Sequence, residues 1–235
     1  MFPDKLRVAM RNQFYLRLPV KKCIFHYISS LMPTFLPTEG YLKEYIPRVG
    51  DFVVDAGAFP GNFAIVLSRL VGTYGLVIAI EPDEEFYHQL VSRFNKLALK
   101  NIVLLNVALW NSDGRQRLVT RGNEGSSLFS QSDNNKFSNT YIQTKRIDTI
   151  ISELGISKVD YLKMDIEGAE IEVLEGAHGL LLRQNLHLAI ACYHIRHGQP
   201  TSQIISKKLK ELNYQIKIDF PKHLTLYGNK TEDLG

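Results

Sequence analysis

Three acids each close a short apolar run: Asp55 after FVV, Glu81 after LVIAI and Asp165 after YLKM. An acid at a strand end can bind an ammonium, a hydroxyl or a water at a ligand site. The first is followed by Ala56-Gly57-Ala58-Phe59-Pro60-Gly61. Small residues in such a turn let a ligand approach the backbone, and the helix after it adds free amide donors. Glu81 ends the next run roughly 20 residues on, where a carboxylate can accept both hydroxyl hydrogens of a ribose. Asn106, Val107 and Ala108 close a third run beside the same crevice, with small apolar surface and backbone donors for an adenine. The turn reads D-x-G-x-x-x-G, not G-x-G-x-x-G, and lacks the Lys-[ST] ending of a P-loop. An adenosyl ligand without phosphates suits it, and a dinucleotide such as NAD is the alternative.

The second constellation is Lys163-Met164-Asp165-Ile166-Glu167-Gly168-Ala169-Glu170. Asp165 ends the fourth run, on the same expected edge as Asp55 and Glu81. Glu167 and Glu170 enter the first turn of a helix, where the helix dipole favours negative charge; capping accounts for Glu170. His194 ends the run expected beside that of Asp165. A carboxylate or imidazole there can take a proton from a hydroxyl. The candidate catalytic set is therefore Asp165, Glu167 and His194. Asp165 can alternatively ligate a hard divalent cation, but one carboxylate-rich corner is not a full ligand set. Metal dependence stays open.

These residues need a scaffold, and the chain alternates accordingly. Runs at 51–55, 76–81, 102–107, 159–164 and 186–192 read as strands. Stretches at 62–70, 84–99, 147–154, from 169 and 203–212 read as helices. Apolar strands with helices between them are the pattern of a parallel sheet covered on both faces. Residues 214–219 and 223–227 complete it as a terminal antiparallel pair, giving seven strands. Between them, residues 121–140 are rich in Gly, Ser and Asn, which reads either as a surface loop or as a lid over a substrate.

The 235 residues, with 45% hydrophobic and 22% charged content, fit one α/β domain over 51–235 plus an appendage over 1–50. Positive charge concentrates in that appendage, giving a net +4 overall. It shows no basic run with interleaved aromatics, so no nucleic-acid partner is expected. The appendage has a rough helical pattern broken by Pro19 and Pro33. It can cap the sheet, pair subunits into a homodimer, or lie against a bilayer. Cys23 and Cys192 alone form neither a disulfide framework nor a zinc site. That usage fits a reducing, cytoplasmic compartment, with peripheral membrane contact left open.

The segments VVDAGAFPG at 53–61, IAIEPDEEFYHQL at 78–90, NVALWNSDG at 106–114, TKRIDTI at 144–150 and YLKMDIEGAEIEVLEGA at 161–177 together resemble the FkbM-like family of S-adenosylmethionine-dependent methyltransferases. The resemblance spans roughly residues 51–194. It implies a Rossmann-like core of the class I methyltransferase type and S-adenosyl-L-methionine as cofactor. It also implies O-methylation of a hydroxyl, here on a small-molecule, saccharide or lipid-linked acceptor. Asp55 and Gly57 would then belong to the methionine-side loop and Glu81 would bind the ribose, with Gly61 a further cofactor-binding candidate. Two departures stand out. Phe59-Pro60 replaces the Asn and variable residue of the family's DxGANxG turn, and proline brings no amide donor. The fifth strand ends Ala191-Cys192-Tyr193-His194, keeping the histidine of a Glu-x-His ending but not its carboxylate. An NAD-binding oxidoreductase and an inactive cofactor-binding scaffold are the competing readings.

Overall fold

A computed structural model describes residues 38–117, 119, 120, 126, 127, 140–183, 186–196, 198–220 and 223–230. The segment 1–37, with the helical, dimer and membrane readings attached to it, and most of the proposed lid lie outside the described residues.

Seven strands form the main sheet: β1 (Phe52–Ala56), β2 (Leu76–Ile80), β3 (Ile102–Leu105), β7 (Tyr161–Met164), β8 (His187–Ala191), β9 (Tyr214–Asp219) and β10 (Thr225–Lys230). Their order is β9-β10-β8-β7-β1-β2-β3. From β8 to β3 all neighbours run parallel, while β10 opposes both β8 and β9. This is the expected mostly parallel Rossmann-like sheet of the class I methyltransferase type, with its terminal antiparallel pair. All five residues of β2 are buried, as are all four of β7, which is why β2 reads as an unbroken apolar run and β7 as one interrupted only by Lys163.

Helices α1 (Asn62–Val71), α2 (Glu84–Lys96), α3 (Ile147–Glu153), α4 (Glu170–Gly176), α5 (His178–Arg183) and α6 (Thr201–Glu211) fill the connections. α1 buries Phe63, Ile65, Val66 and Leu67. Each such side chain contributes about 1.5–3 kcal/mol when fully removed from water. The start of α2 is fixed by Asp83, whose carboxylate accepts from the amides of Glu85 and Phe86 at 3.0 and 3.2 Å. Strand order reverses at β1, with β2 and β3 on one side and β7 and β8 on the other. The crevice of an open α/β sheet lies at the carboxyl ends of strands at such a switch.

Two features depart from the sequence reading. The third strand stops at Leu105 rather than Val107. The chain then turns away, so that β4 (Ala108–Leu109) joins β6 (Tyr141–Lys145) and β5 (Gly114–Arg117) in a separate small sheet, ordered β4-β6-β5. The stretch just before β1 is also built into the domain. Tyr41 and Leu42 are buried. The hydroxyls of Tyr161 and Tyr227 donate to the carbonyls of Tyr41 and Gly40 at 2.7 and 2.5 Å. Lys43 pairs with Asp219, and Glu44 with Lys217, both at 2.6 Å. No helix among the described residues is long and apolar enough to cross a membrane.

Candidate active site

At the carboxyl end of β1 the chain passes close against the residue that follows β7. Gly57 has a φ of +77°, and a Cβ there would stand 1.9 Å from the carbonyl oxygen of Asp165. Only glycine fits. The amides of Gly57 and Ala58 both donate to the carbonyl of Ile80 at 3.0 Å. Lys163, buried on β7, sits beneath this turn. Its Nζ donates to the carbonyls of Ala56 and Gly57 at 3.1 and 2.8 Å and pairs with Asp55 Oδ1 at 3.0 Å.

Asp55 was expected to face the ligand, but its carboxylate has no solvent exposure and lies against Lys163. Burial pushes its carboxyl up, and the Lys163 ammonium opposes that shift. Its place is under the cofactor turn, not in the cleft. Gly61 is likewise not a cleft wall: it precedes α1 with φ +91°, and a Cβ there would meet Leu90 at 2.6 Å. Asn106 donates its side-chain amide to the carbonyls of Glu81 and Pro82, both at 3.0 Å, so it shapes the turn after β2.

The cleft itself is lined by Ala56, Gly57, Glu81, Val107, Ala108 and Asp165, among others. Glu81 accepts from the amides of Phe59 at 3.2 Å and Asp83 at 3.0 Å, which aim its carboxylate. Burial nevertheless pushes its pKa up to about 7. Phe59, from the departing Phe59-Pro60 pair, stacks on Phe86 with ring centroids 3.9 Å apart, and both line the cleft. Arg93 holds the same turn through the carbonyl of Pro60 and the side chain of Asn62. The walls carry a carboxylate for a diol and apolar surface for a base. Among the described residues, no lysine or arginine lines this cleft. The donor set fits an adenosyl sulfonium.

Asp165 stands at the opposite wall. Its Oδ1 accepts from the Tyr193 hydroxyl at 3.3 Å, and its Oδ2 is 3.6 Å from His223 Nε2. Glu167 follows with φ +56° and Gly168 with φ +99°, a sharp corner. Glu170, fully buried at the start of α4, accepts from the amides of Ile166 and Gly168, both at 3.3 Å. Its pKa is pushed up to about 6 by burial, against the nearby His194. Arg196 closes the corner through the Gly168 carbonyl at 2.6 Å and Glu172 at 3.0 Å.

His194 lies near Glu167 and Glu170, at 3.6 and 3.7 Å. Burial works against its imidazolium, but the neighbouring Glu167 and the charge of Glu170 raise its pKa overall. It does not line the cleft beside Asp165. Cys192 is buried, and its Sγ donates to the carbonyl of Leu224 at 3.4 Å. Among the described residues, no group of three or more His, Cys, Asp or Glu is placed to hold a metal ion.

Lys163, Tyr193, His223 and the Phe59–Phe86 stack were not among the expected site residues. Lys163 left one signal, a lysine inside an otherwise apolar strand. The others reach the site only through the fold.

A family model described as the methyltransferase FkbM domain matches residues 55–216. A curated relative, methyltransferase sdnD of Sordaria araneosa, is 28% identical over 53% of this chain and 60% of its own. Two solved structures share the fold. The methyltransferase FkbM structure of Methylobacillus flagellatus aligns with a TM-score of 0.60 at 20% identity, over 81% of this chain and 47% of that one. The fibrillarin of Aeropyrum pernix, solved with natively bound S-adenosyl-L-methionine, aligns at 0.54 and 15% identity, over 81% and 73%. The chain thus spans 60% of the curated relative and about half of the solved FkbM chain.

Proposed function

Since the chain belongs to the methyltransferase FkbM family, we propose that it is an S-adenosylmethionine-dependent enzyme that methylates a hydroxyl oxygen of a small, saccharide or lipid-linked acceptor. The observation that carries this reading is the pairing of two carboxylates across one cleft, Glu81 on the β2 wall and Asp165 on the β7 wall. In this reading Glu81 holds the ribose, Gly57 gives backbone access, and Val107 and Ala108 flank the adenine. When bound, the cofactor supplies an electrophilic methyl group on a sulfonium.

Asp165 then orients the acceptor hydroxyl and takes its proton, a contribution of about 10²–10⁴-fold for a well-placed base. Glu167 lies on the same cleft wall. The raised pKa of His194 suits it to hold Glu167 rather than to act as the base. Exposed Tyr193 beside Asp165 offers an aromatic edge to the acceptor, which suits a sugar ring or a lipid-linked group. Residues 1–50 as an N-terminal helical appendage, and pairing of subunits through it, remain part of this proposal, as does a cytoplasmic or peripheral membrane location.

Asp165→Asn keeps the size and removes the charge. It should lower single-turnover methyl transfer about 100-fold or more at saturating donor, with donor affinity little changed. The acceptors to screen with labelled donor are sugars, glycolipids, phenols and polyketides. A folded, donor-binding Asp165→Asn protein with near wild-type chemistry would remove Asp165 from the mechanism. Donor binding with no turnover on any acceptor would favour the scaffold reading.

A further inference from the structure

Two residues outside the matched family region converge on Asp165. The family model covers 55–216. His223 lies in the connection between β9 and β10, and Tyr41 ends the helical turn Thr38–Tyr41. The His223 imidazole is addressed at both nitrogens. Nε2 lies 3.6 Å from Asp165 Oδ2, and Nδ1 lies 3.3 Å from the Tyr41 hydroxyl oxygen. Two rings confine it edge-on, Tyr193 at 4.7 Å and Tyr41 at 5.5 Å between centroids. Tyr193 also donates to the other Asp165 oxygen, so both oxygens of this carboxylate are met from the same side chain cluster.

The tautomer follows from the partners. An unprotonated Nε2 would aim its lone pair at a carboxylate, so the ring hydrogen belongs on Nε2. Nδ1 then accepts, with the Tyr41 hydroxyl at 3.3 Å as its donor, a hydroxyl that also reaches Asp165. Burial, reinforced by the Asp165 charge, pushes the Tyr41 phenol well above its usual range, so it keeps its hydrogen. Tyr41 is buried, its ring packs on Phe63 with centroids 5.6 Å apart, and the backbone around it is tied to Tyr161 and Tyr227. The 3.6 Å gap exceeds a formed hydrogen bond; catalytic contacts are commonly long before substrate binds.

We propose that His223, held in its Nε2–H tautomer by Tyr41, is the positioning residue that fixes the Asp165 carboxylate for proton removal from the acceptor. The inference rests on the methyltransferase reading above. In that step a lone pair of the acceptor oxygen bonds the methyl carbon. The carbon–sulfur electron pair leaves with sulfur as a thioether, and the hydroxyl proton passes to Asp165. His223 gains and loses nothing in the balance. It holds Asp165 Oδ2 so that the other oxygen, shared with Tyr193, faces the hydroxyl.

The test is long-range proton–nitrogen spectroscopy of the donor-free protein labelled in its histidine rings. His223 is assigned by its loss in His223→Gln, and His88, 68% exposed, serves as the unconstrained reference. The expected pattern is a single Nε2–H tautomer for His223, lost or mixed in Tyr41→Phe and in Asp165→Asn. An Nδ1–H pattern, or an averaged one like that of His88, would overturn the proposal. Titration calorimetry with S-adenosylmethionine separates the two levels. Absence of donor binding defeats the methyltransferase reading, whereas donor binding with the wrong tautomer defeats only the role of His223. In labelled methyl transfer, His223→Ala should be at least tenfold slower with unchanged donor affinity. His223→Gln, whose amide reaches the place of Nε2, should recover most of the rate, and His223→Asn should not. Equal losses in the Gln and Ala variants would also overturn it.

Discussion

The two walls of the cleft are built by different means. On the β1–β2 wall the groups that meet the ligand are set by backbone: Glu81 by two amides, Gly57 by its own carbonyl and amide contacts, the turn by buried Lys163. On the β7–β8–β10 wall Asp165 is set by side chains, Tyr193 at 3.3 Å and His223 at 3.6 Å, themselves partly exposed. Backbone fixing is insensitive to residue type at most positions and survives sequence drift. Side-chain fixing changes with every substitution. In the proposed function, the first wall serves a constant donor and the second is free to follow an acceptor.

The largest effect to expect on the donor wall is from Gly57→Ala. The added carbon would overlap the Asp165 carbonyl and demand a positive φ, so a loss of about 3–5 kcal/mol or failure to fold should follow, read from denaturant melts. Retained stability would mean that the two walls do not touch there. Next comes Lys163→Met, which strands the Asp55 carboxylate in the core. It should cost about 3–5 kcal/mol, and adding Asp55→Asn should recover part of that loss. No recovery in the double variant would show that Lys163 acts through the carbonyls of Ala56 and Gly57 alone.

Glu81 gives a two-sided pH test. Its pKa is raised from 4.5 to about 7, so between those values the folded protein holds more protons than the unfolded chain. Stability attributable to this group must fall as pH rises through that window. Donor affinity should move the other way, because the ionised carboxylate is the better acceptor for ribose hydroxyls. Glu81→Gln should flatten both trends and weaken donor binding by about 1–3 kcal/mol. Parallel trends in the variant and the parent would place the titration elsewhere. Smallest should be Tyr193→Phe on the acceptor wall, about 1 kcal/mol or less in stability, with turnover affected more than donor binding. A larger stability loss would make the acceptor wall as rigid as the donor wall.

What the sequence made legible divides along the same line. Short apolar runs ended by Asp55, Glu81 and Asp165 fix strands and helices by local pattern, and the sheet follows from their alternation. Pattern cannot tell which end-of-strand acid faces the cleft. Asp55 and Glu81 look alike in sequence, yet one is locked to Lys163 and the other lines the site. The second sheet was missed because β4 and β6 are separated by the polar stretch that carries no periodicity. Tyr41 and His223 lie 182 residues apart, and only the hairpin of β9 and β10, folding back beside β8, brings them together.

The hydroxyls of Tyr161 and Tyr227 give the segment before β1 a historical weight. Both are buried in the sheet, and both have a carbonyl of residues 40 and 41 as acceptor. Were that segment lost, two buried hydroxyls would be stranded, at about 1–3 kcal/mol each. The loss becomes tolerable only after both tyrosines have changed to phenylalanine, and neither change is favourable while the segment is present. An addition of this kind works as an evolutionary ratchet: once the core supplies donors to it, a lineage can elaborate the segment far more easily than discard it.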